Sequence, residues 1–359
     1  MSIYIHIPFC SKICAYCDFP KVIKDKKIID KYLTELEKEI EENYKGENIK
    51  TLYIGGGTPT SLNLKQLKKL FKIIDKIKID KDAEITIEAN SEDLSEEKLK
   101  FLKGKVNRLS IGIETFNEDI LKEINRSVNL KNIKNSFKYF KNINLDLMYG
   151  FKNQKLEDLE KDLKIIADLN PTHISIYSLI IEPNTLLYIN NYPIMDEDLE
   201  IKMHELIKKS LKEKGYIWYE ISNYSKKNFE SKHNLVYWNN ENYYGFGLGA
   251  GGYIKNIRYQ NTRSLTKYLN GMYKLEQKEL DINEKIQNEF ILGLRKINGI
   301  NKKEFEKKYN IKLEELDVVK ELLNKKLLKQ NEKKVYINPK YIYTSNEILL
   351  KFIDFTLPT

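Results

Sequence analysis

The sequence predicts an α/β fold: a partial, TIM-like (β/α)6 barrel followed by a mostly helical, winged-helix-like C-terminal domain. Three observations predict it. Short β-rich runs alternate with longer amphipathic stretches over residues 1–190, a small polar or reactive residue closes each run, and from Glu284 onward the pattern turns helical.

The β-rich runs are Ile3–Ile7, Thr51–Ile54, Glu84–Glu88, Arg108–Ile113, Leu145–Met148 and His173–Ser178. Between them, apolar residues recur at helical spacing, as Leu33, Leu36 and Ile40 do within Tyr32–Asn43, and Leu67, Leu70 and Ile74 within Leu64–Ile77. Such alternation makes a parallel sheet with helices outside. Six units are too few for a closed eight-unit barrel and suit an open one. Cys10 follows the first run and Gly55–Thr58 the second; Glu88 and Asn90, Glu114, Asp146 and Ser178 close the others. Barrels of this kind carry their active sites at that end of the strands.

Past residue 190 the alternation fades into a helix (Asp198–Lys214), a strand (Ile217–Ile221) and a glycine-rich passage, Gly245–Gly252. Helical patterns then cover Lys285–Lys296, Lys302–Tyr309 and Leu313–Asn324, followed by a hairpin within Leu327–Ile337 and a last helix over Ser345–Phe355. The expected divisions are a barrel over 1–190, a connecting region over 191–260 and a C-terminal domain over 261–359.

With 359 residues the chain is long enough for two ordinary domains. No apolar run is long enough to span a bilayer. A first strand starting at Ile3 leaves no room for a signal peptide, so a cytoplasmic location is expected. The formal charge of +9 admits an anionic partner, but lysine is spread along Leu64–Lys78 and Lys131–Lys141 without a dense basic block. Nucleic acid is therefore not the expected partner.

All three cysteines fall in Cys10-Ser-Lys-Ile-Cys14-Ala-Tyr-Cys17. An odd, tightly spaced set in a reducing compartment is a ligand set rather than a disulfide framework. Three thiolates can hold three irons of a cubane cluster and leave the fourth iron open to a chelating small molecule. The spacing also admits structural zinc completed by His6 or His233, or inert thiols.

In the context Tyr4-Ile-His-Ile-Pro-Phe-Cys10, and with Tyr16 before Cys17, the loop resembles the signature of the radical SAM superfamily. The resemblance implies a radical SAM barrel, a [4Fe–4S] cluster on Cys10, Cys14 and Cys17, and S-adenosylmethionine at its open iron. Gly55-Gly-Gly-Thr-Pro59 resembles the segment that meets the methionine amino group, so Gly56, Gly57 and Thr58 are expected contacts, with Tyr4 and Tyr16 alongside. Glu88, Arg126 and Asp146 fall where relatives place contacts to S-adenosylmethionine. Glu114 stands where relatives often carry glutamine.

Ile5–Cys10, Gly55–Thr60, Ile87–Asn90, Leu145–Gly150 and Ile181–Thr185 resemble the branch around oxygen-independent coproporphyrinogen III oxidase. That branch holds decarboxylating oxidases and heme chaperones. The oxidases usually have a fourth cysteine where this chain has Phe19, and an extension before the first strand. His233-Asn-Leu-Val-Tyr-Trp238 resembles the H-N-x-x-Y-W pattern of the chaperones. The expected function is therefore a heme chaperone that delivers heme to respiratory acceptor proteins, with a membrane-surface encounter suiting the charge.

On that reading His233 is the expected heme ligand, Tyr237 and Trp238 stack on the porphyrin, and Asn234 orients the imidazole. Gly251 stands where many relatives have histidine. The alternatives are an oxidase pairing substrate propionates with Arg258 or Arg263, and a zinc-binding, DNA-associated protein using the winged-helix-like end.

Overall fold

The structure is a computed structural model that describes residues 1–353 and 355–357. Six parallel strands lie side by side in sequence order: β1 (Ser2–Ile7), β2 (Ile49–Gly56), β3 (Ile79–Asn90), β4 (Arg108–Glu114), β5 (Asn142–Tyr149) and β6 (His173–Ser178). Between them run the helices α1 (Lys26–Asn43), α2 (Leu64–Ile74), α3 (Glu96–Leu102), α4 (Leu130–Ser136) and α5 (Leu156–Leu169).

Side chains alternate faces along a strand. Ile3, Ile5 and Ile7, with Leu52, Ile54, Ile87, Leu109, Ile111, Ile143 and Leu145, pack into one buried core under the helices. The alternate positions carry Tyr4 and His6, Tyr53, Thr86 and Glu88, Arg108 and Ser110, Asn144 and Asp146, His173 and Ser175, so the inner face of the sheet is polar.

Local chemistry sets the helix ends. The Asp25 side chain accepts from the Ile28 N–H to start α1, which then buries Ile29, Leu33, Leu36 and Ile40 along one stripe. Asn63 and Gln66 form a reciprocal capping box on α2. Asn170 ends α5 in the left-handed conformation, at φ 53°.

Beyond β6 the chain continues through α6 (Glu197–Glu213), β7 (Ile217–Glu220), β8 (Asn223–Ser225), α7 (Lys232–Trp238), β9 (Tyr243–Phe246), β10 (Gly251–Ile254), β11 (Ile257–Asn261) and β12 (Lys274–Glu279). β8 pairs antiparallel with β6, while β9 pairs parallel with β1 and leads into the antiparallel β10, β11 and β12. The sheet therefore has twelve strands.

This overturns the expected divisions. Residues 191–260 do not merely connect: they extend the sheet at both edges, and β12 keeps residues up to Glu279 within it.

A second core starts at Ile286 and joins Phe290, Phe305, Val319, Leu322, Leu328, Val335, Ile348 and Phe352. Its elements are α8 (Ile282–Gly293), α9 (Lys302–Tyr309), α10 (Asp317–Asn324), the hairpin β13 (Leu328–Gln330) and β14 (Lys334–Ile337), and α11 (Ser345–Leu350). The third helix begins later than its periodicity predicts, because Leu313–Glu315 form a separate 3-10 turn. The last helix ends at Leu350, and its expected continuation to Phe355 crosses Asp354, outside the described residues. Trp218 packs against both cores and ties the two units.

Candidate functional site

The loop after β1 carries the cysteines across the C-terminal end of the sheet. Phe9–Cys10 pairs in parallel with Val22–Ile23, which closes the loop on itself. Phe9 is buried edge-on against Tyr32, with ring centroids 5.2 Å apart. The Ala15 N–H donates to the Ile124 carbonyl and its carbonyl accepts from Leu187, each at 3.0 Å, so segments beyond β4 and β6 both grip the loop. Lys21 donates to the Cys17 carbonyl.

Cys10 is buried, Cys14 and Cys17 are half-buried, and all three are free thiols. Burial pushes Cys10 up to about 11 and Cys14 up to about 12, and raises Cys17 as well. They are therefore neutral thiols at pH 7 until a metal displaces their protons.

The glycine segment lies directly beneath. Gly57 donates to the Ile7 carbonyl at 2.9 Å, and a Cβ there would stand 2.7 Å from the Pro8 carbonyl carbon and 3.0 Å from Cys10 Sγ. Gly56 has φ +111°, and its added Cβ would meet the His6 ring at 2.4 Å. Thr58 Oγ1 lies 3.8 Å from Cys10 Sγ and accepts from Asn90 Nδ2 at 3.1 Å. The Glu88 carboxylate accepts from the Gly56 N–H at 2.9 Å and the Tyr53 hydroxyl at 2.7 Å, and burial pushes it up to about 7.

Glu114 is a non-glycine residue at φ 58°, a left-handed conformation that carries strain. Three contacts hold it there. Arg126 donates to Oε2 through Nε at 3.0 Å and Nη2 at 2.7 Å, and the Tyr16 hydroxyl donates to Oε1 at 2.7 Å. Tyr16 lies between Cys14 and Cys17, so this buried set fastens the cysteine loop to β4. Asp146 accepts from Ser110 and Asn144 at 3.1 and 2.8 Å, and burial raises it.

The structure thus brings Cys10, Cys14, Cys17, Tyr16, Gly56, Gly57, Thr58, Glu88, Glu114 and Arg126 together at the mouth, with Tyr4 and Asp146 on the inner face. A cleft of about 120 Å³ beside Cys14 and Arg126 adjoins them.

His233 lies elsewhere. It opens α7, whose first N–H groups donate to Glu84 at the start of β3. Its Nδ1 meets Thr51 Oγ1 at 2.8 Å, its Nε2 meets the Tyr237 hydroxyl at 2.8 Å, and its ring stacks on Tyr53. Thr51 lies toward the end of the sheet away from the cysteines, while Tyr53, stacked on the ring, donates to Glu88 at the mouth.

His233 is 1% exposed, and both of its ring nitrogens are hydrogen-bonded in this structure. Asn234 does not orient the ring, since Thr51 and Tyr237 do. Trp238 lies under Arg295, 5.6 Å from its guanidinium, rather than facing an open surface. Arg258 stacks on Tyr253 and donates to Asn240, while Arg263 donates to the Asp18 carbonyl, so the two do not converge on one anion.

Zinc completed by histidine does not fit either. His6 holds the Pro20 carbonyl through Nε2 at 2.8 Å and the Tyr4 hydroxyl through Nδ1 at 2.9 Å. Among the described residues no three His, Cys, Asp or Glu side chains converge as a single ion requires.

Several inner-face groups escaped the motif reading: Tyr53, the fully buried Arg108, and His173 bonded to Asn144 and Tyr219. Their signal was the period-2 alternation of polar residues along β2, β4 and β6.

Comparison with known proteins fits this geometry. The sequence profile of the Radical SAM superfamily matches residues 4–166. The chain is 41% identical to the heme chaperone HemW of Bacillus subtilis, over 98% of this chain and 99% of that protein. The chain belongs to the HemW family of radical SAM proteins. HemW of Escherichia coli is 33% identical over 85% of each chain. The coproporphyrinogen III oxidase HemN of Escherichia coli superposes with a TM-score of 0.86 at 23% identity, over 99% of this chain and 90% of the other. That likeness is one of fold, and it spans both cores of this HemW-family chain. Among the described residues no helix is long and apolar enough to cross a membrane.

Proposed function

We propose that this chain is a cytoplasmic heme chaperone, which binds heme and hands it to heme-requiring acceptor proteins. The observation that carries the reading is the 41% identity to a heme chaperone over 98% of this chain. The acceptors are respiratory proteins met at the membrane surface, a role that the net charge of +9 suits by attraction to anionic lipid.

Cys10, Cys14 and Cys17 would hold a [4Fe–4S] cluster, which with S-adenosylmethionine supplies one-electron chemistry when bound. The donor set fits. Three free thiols lie on one loop, and the bare backbone of Gly57 against Cys10 leaves space that any side chain would fill. Gly56 and Thr58 offer backbone and hydroxyl groups to the ligand, while Glu88, held by Tyr53, faces the same space. Arg126 and Glu114 fix the loop and exclude water from its inner side.

The deciding experiment mixes the heme-loaded, anaerobically reconstituted chain with a heme-free b-type cytochrome. The cytochrome should acquire its Soret and α bands while the donor loses heme. Conversion of coproporphyrinogen III to a vinyl product without heme transfer would overturn the chaperone reading in favour of an oxidase.

A further inference from the structure

Two side-chain relays run along the inner face of the sheet, from the carboxylates at the mouth to α7. The longer one starts at the cap of that helix. The Ser231 N–H donates to the Tyr219 hydroxyl oxygen at 3.2 Å, and that oxygen lies 2.7 Å from His173 Nε2. His173 Nδ1 lies 2.6 Å from Asn144 Oδ1, and Asn144 Nδ2 donates to Asp146 Oδ1 at 2.8 Å. Ser231, Tyr219, His173 and Asn144 are all buried.

The order of donors is fixed from both ends. The Ser231 amide can only donate, so Tyr219 accepts from it and turns its own proton to His173 Nε2. The Asp146 carboxylate accepts, which turns the Asn144 amide so that its oxygen faces His173 Nδ1. Nδ1 therefore carries the ring proton. Burial holds His173 well below the usual histidine range, so the ring keeps that single proton. All four bonds are thus polarised in one direction, toward Asp146. Bonds in such a chain strengthen or weaken together.

The shorter relay is a single residue. Tyr53 donates through its hydroxyl to Glu88 Oε1 at 2.7 Å, and its ring stacks on His233 of α7 with centroids 5.2 Å apart. Both relays therefore end on a carboxylate expected to meet S-adenosylmethionine, and both begin on the helix of the H-N-x-x-Y-W pattern. A carboxylate that accepts from a ligand accepts less strongly from the donor it already has. We propose that ligand binding at the mouth loosens α7 through these two relays: Asp146 and Glu88 yield part of their hold on Asn144 and Tyr53, and the helix cap and His233 are held less firmly in turn. The coupling rests on the reading of the mouth as the S-adenosylmethionine site. Within the heme-chaperone reading it makes that ligand an effector of heme hand-over.

The test is hydrogen–deuterium exchange of the peptide covering α7, read by mass spectrometry on the anaerobically reconstituted full chain with and without S-adenosylmethionine. Equilibrium dialysis of the same samples measures ligand binding. The variants are Tyr53→Phe, Tyr219→Phe, the two combined, and Thr51→Val. The phenylalanines keep both rings in the packing and remove only the hydroxyls. Thr51→Val removes a bond to His233 that belongs to neither relay.

In the wild type, S-adenosylmethionine should speed exchange in α7 by about fivefold or more. Each single phenylalanine variant should bind the ligand and show a smaller response, and the combined variant should show none. Thr51→Val should exchange faster without ligand yet keep the wild-type response, a separation that simple loss of packing does not produce. Unchanged or slowed exchange in the ligand-bound wild type, or a full response in both single variants, would overturn the relays and leave the ligand site standing. Failure of the wild type to bind S-adenosylmethionine overturns both.

Discussion

Gly57 shows how little freedom the mouth of the barrel leaves to a single residue. Its backbone lies between Pro8 and Cys10, so one added methyl must displace either a main-chain carbonyl or a thiol. Gly57→Ala should therefore leave the outer core intact and impair the cysteine loop. The expected result is iron and sulfide content after anaerobic reconstitution cut to well under half of wild type, with thermal stability of the metal-free chain changed by no more than a few degrees. Equal iron content in both proteins would show that the loop relaxes around the methyl. Glu114 illustrates the opposite device. Its left-handed backbone is tolerated because Arg126 and Tyr16 over-determine its position.

At the scale of elements, alternation along each strand does two jobs at once. One face supplies isoleucine and leucine to the helices, and the other lines the inside with acids, amides and rings. The inner end is closed by α7. Its N-terminus is satisfied by Glu84 and Ser231, and His233 keys it to Thr51.

Burial lowers His233 from its ordinary 6.5 to about 3. Between those values the unfolded chain takes up a proton that the folded chain refuses. The unfolded state then binds more protons, and stability rises with pH across this window. Acid should therefore destabilise the fold progressively below about pH 6.5. His233→Gln removes one such group, so its melting temperature should fall less between pH 7 and pH 4.5 than that of the wild type. His6, His173 and His204, also lowered by burial, keep the remaining drop above zero. An unchanged pH slope in the variant would show that His233 is accessible to protons in the folded chain.

For the whole molecule, coupling between the two cores depends on few side chains. Trp218 stacks on Tyr224, at 5.8 Å and 10° between rings, and also touches the C-terminal core. Truncation of a large buried aromatic side chain costs about 3–5 kcal/mol, and a half-buried one less. Trp218→Ala should loosen the junction more than either core. In urea, far-UV circular dichroism and tyrosine fluorescence should coincide for the wild type and separate into two transitions for the variant. A single coincident transition in the variant would place the coupling elsewhere, with the backbone bonds from Ile221 to Arg295 and from Ile297 to Tyr219 as its carriers.

The cysteine loop, the glycine turn, the six parallel strands and the helical C-terminal unit were legible because each is written in local spacing: three thiols within eight residues, glycines in a run, and apolar residues at a period of two or near four. The extra strands at both sheet edges were not legible, since short runs such as Tyr243–Phe246 become strands only through partners like Ser2–Ile5, far away in the chain. The same reason decides the histidines. The motif around His233 was legible in the sequence, but the bonding of its ring to Thr51, 182 residues away, was not. Sequence determined which groups the chain carries and on which elements; tertiary packing decided which of them remain free to bind, because hydrogen-bond saturation depends on neighbours that the linear order does not reveal.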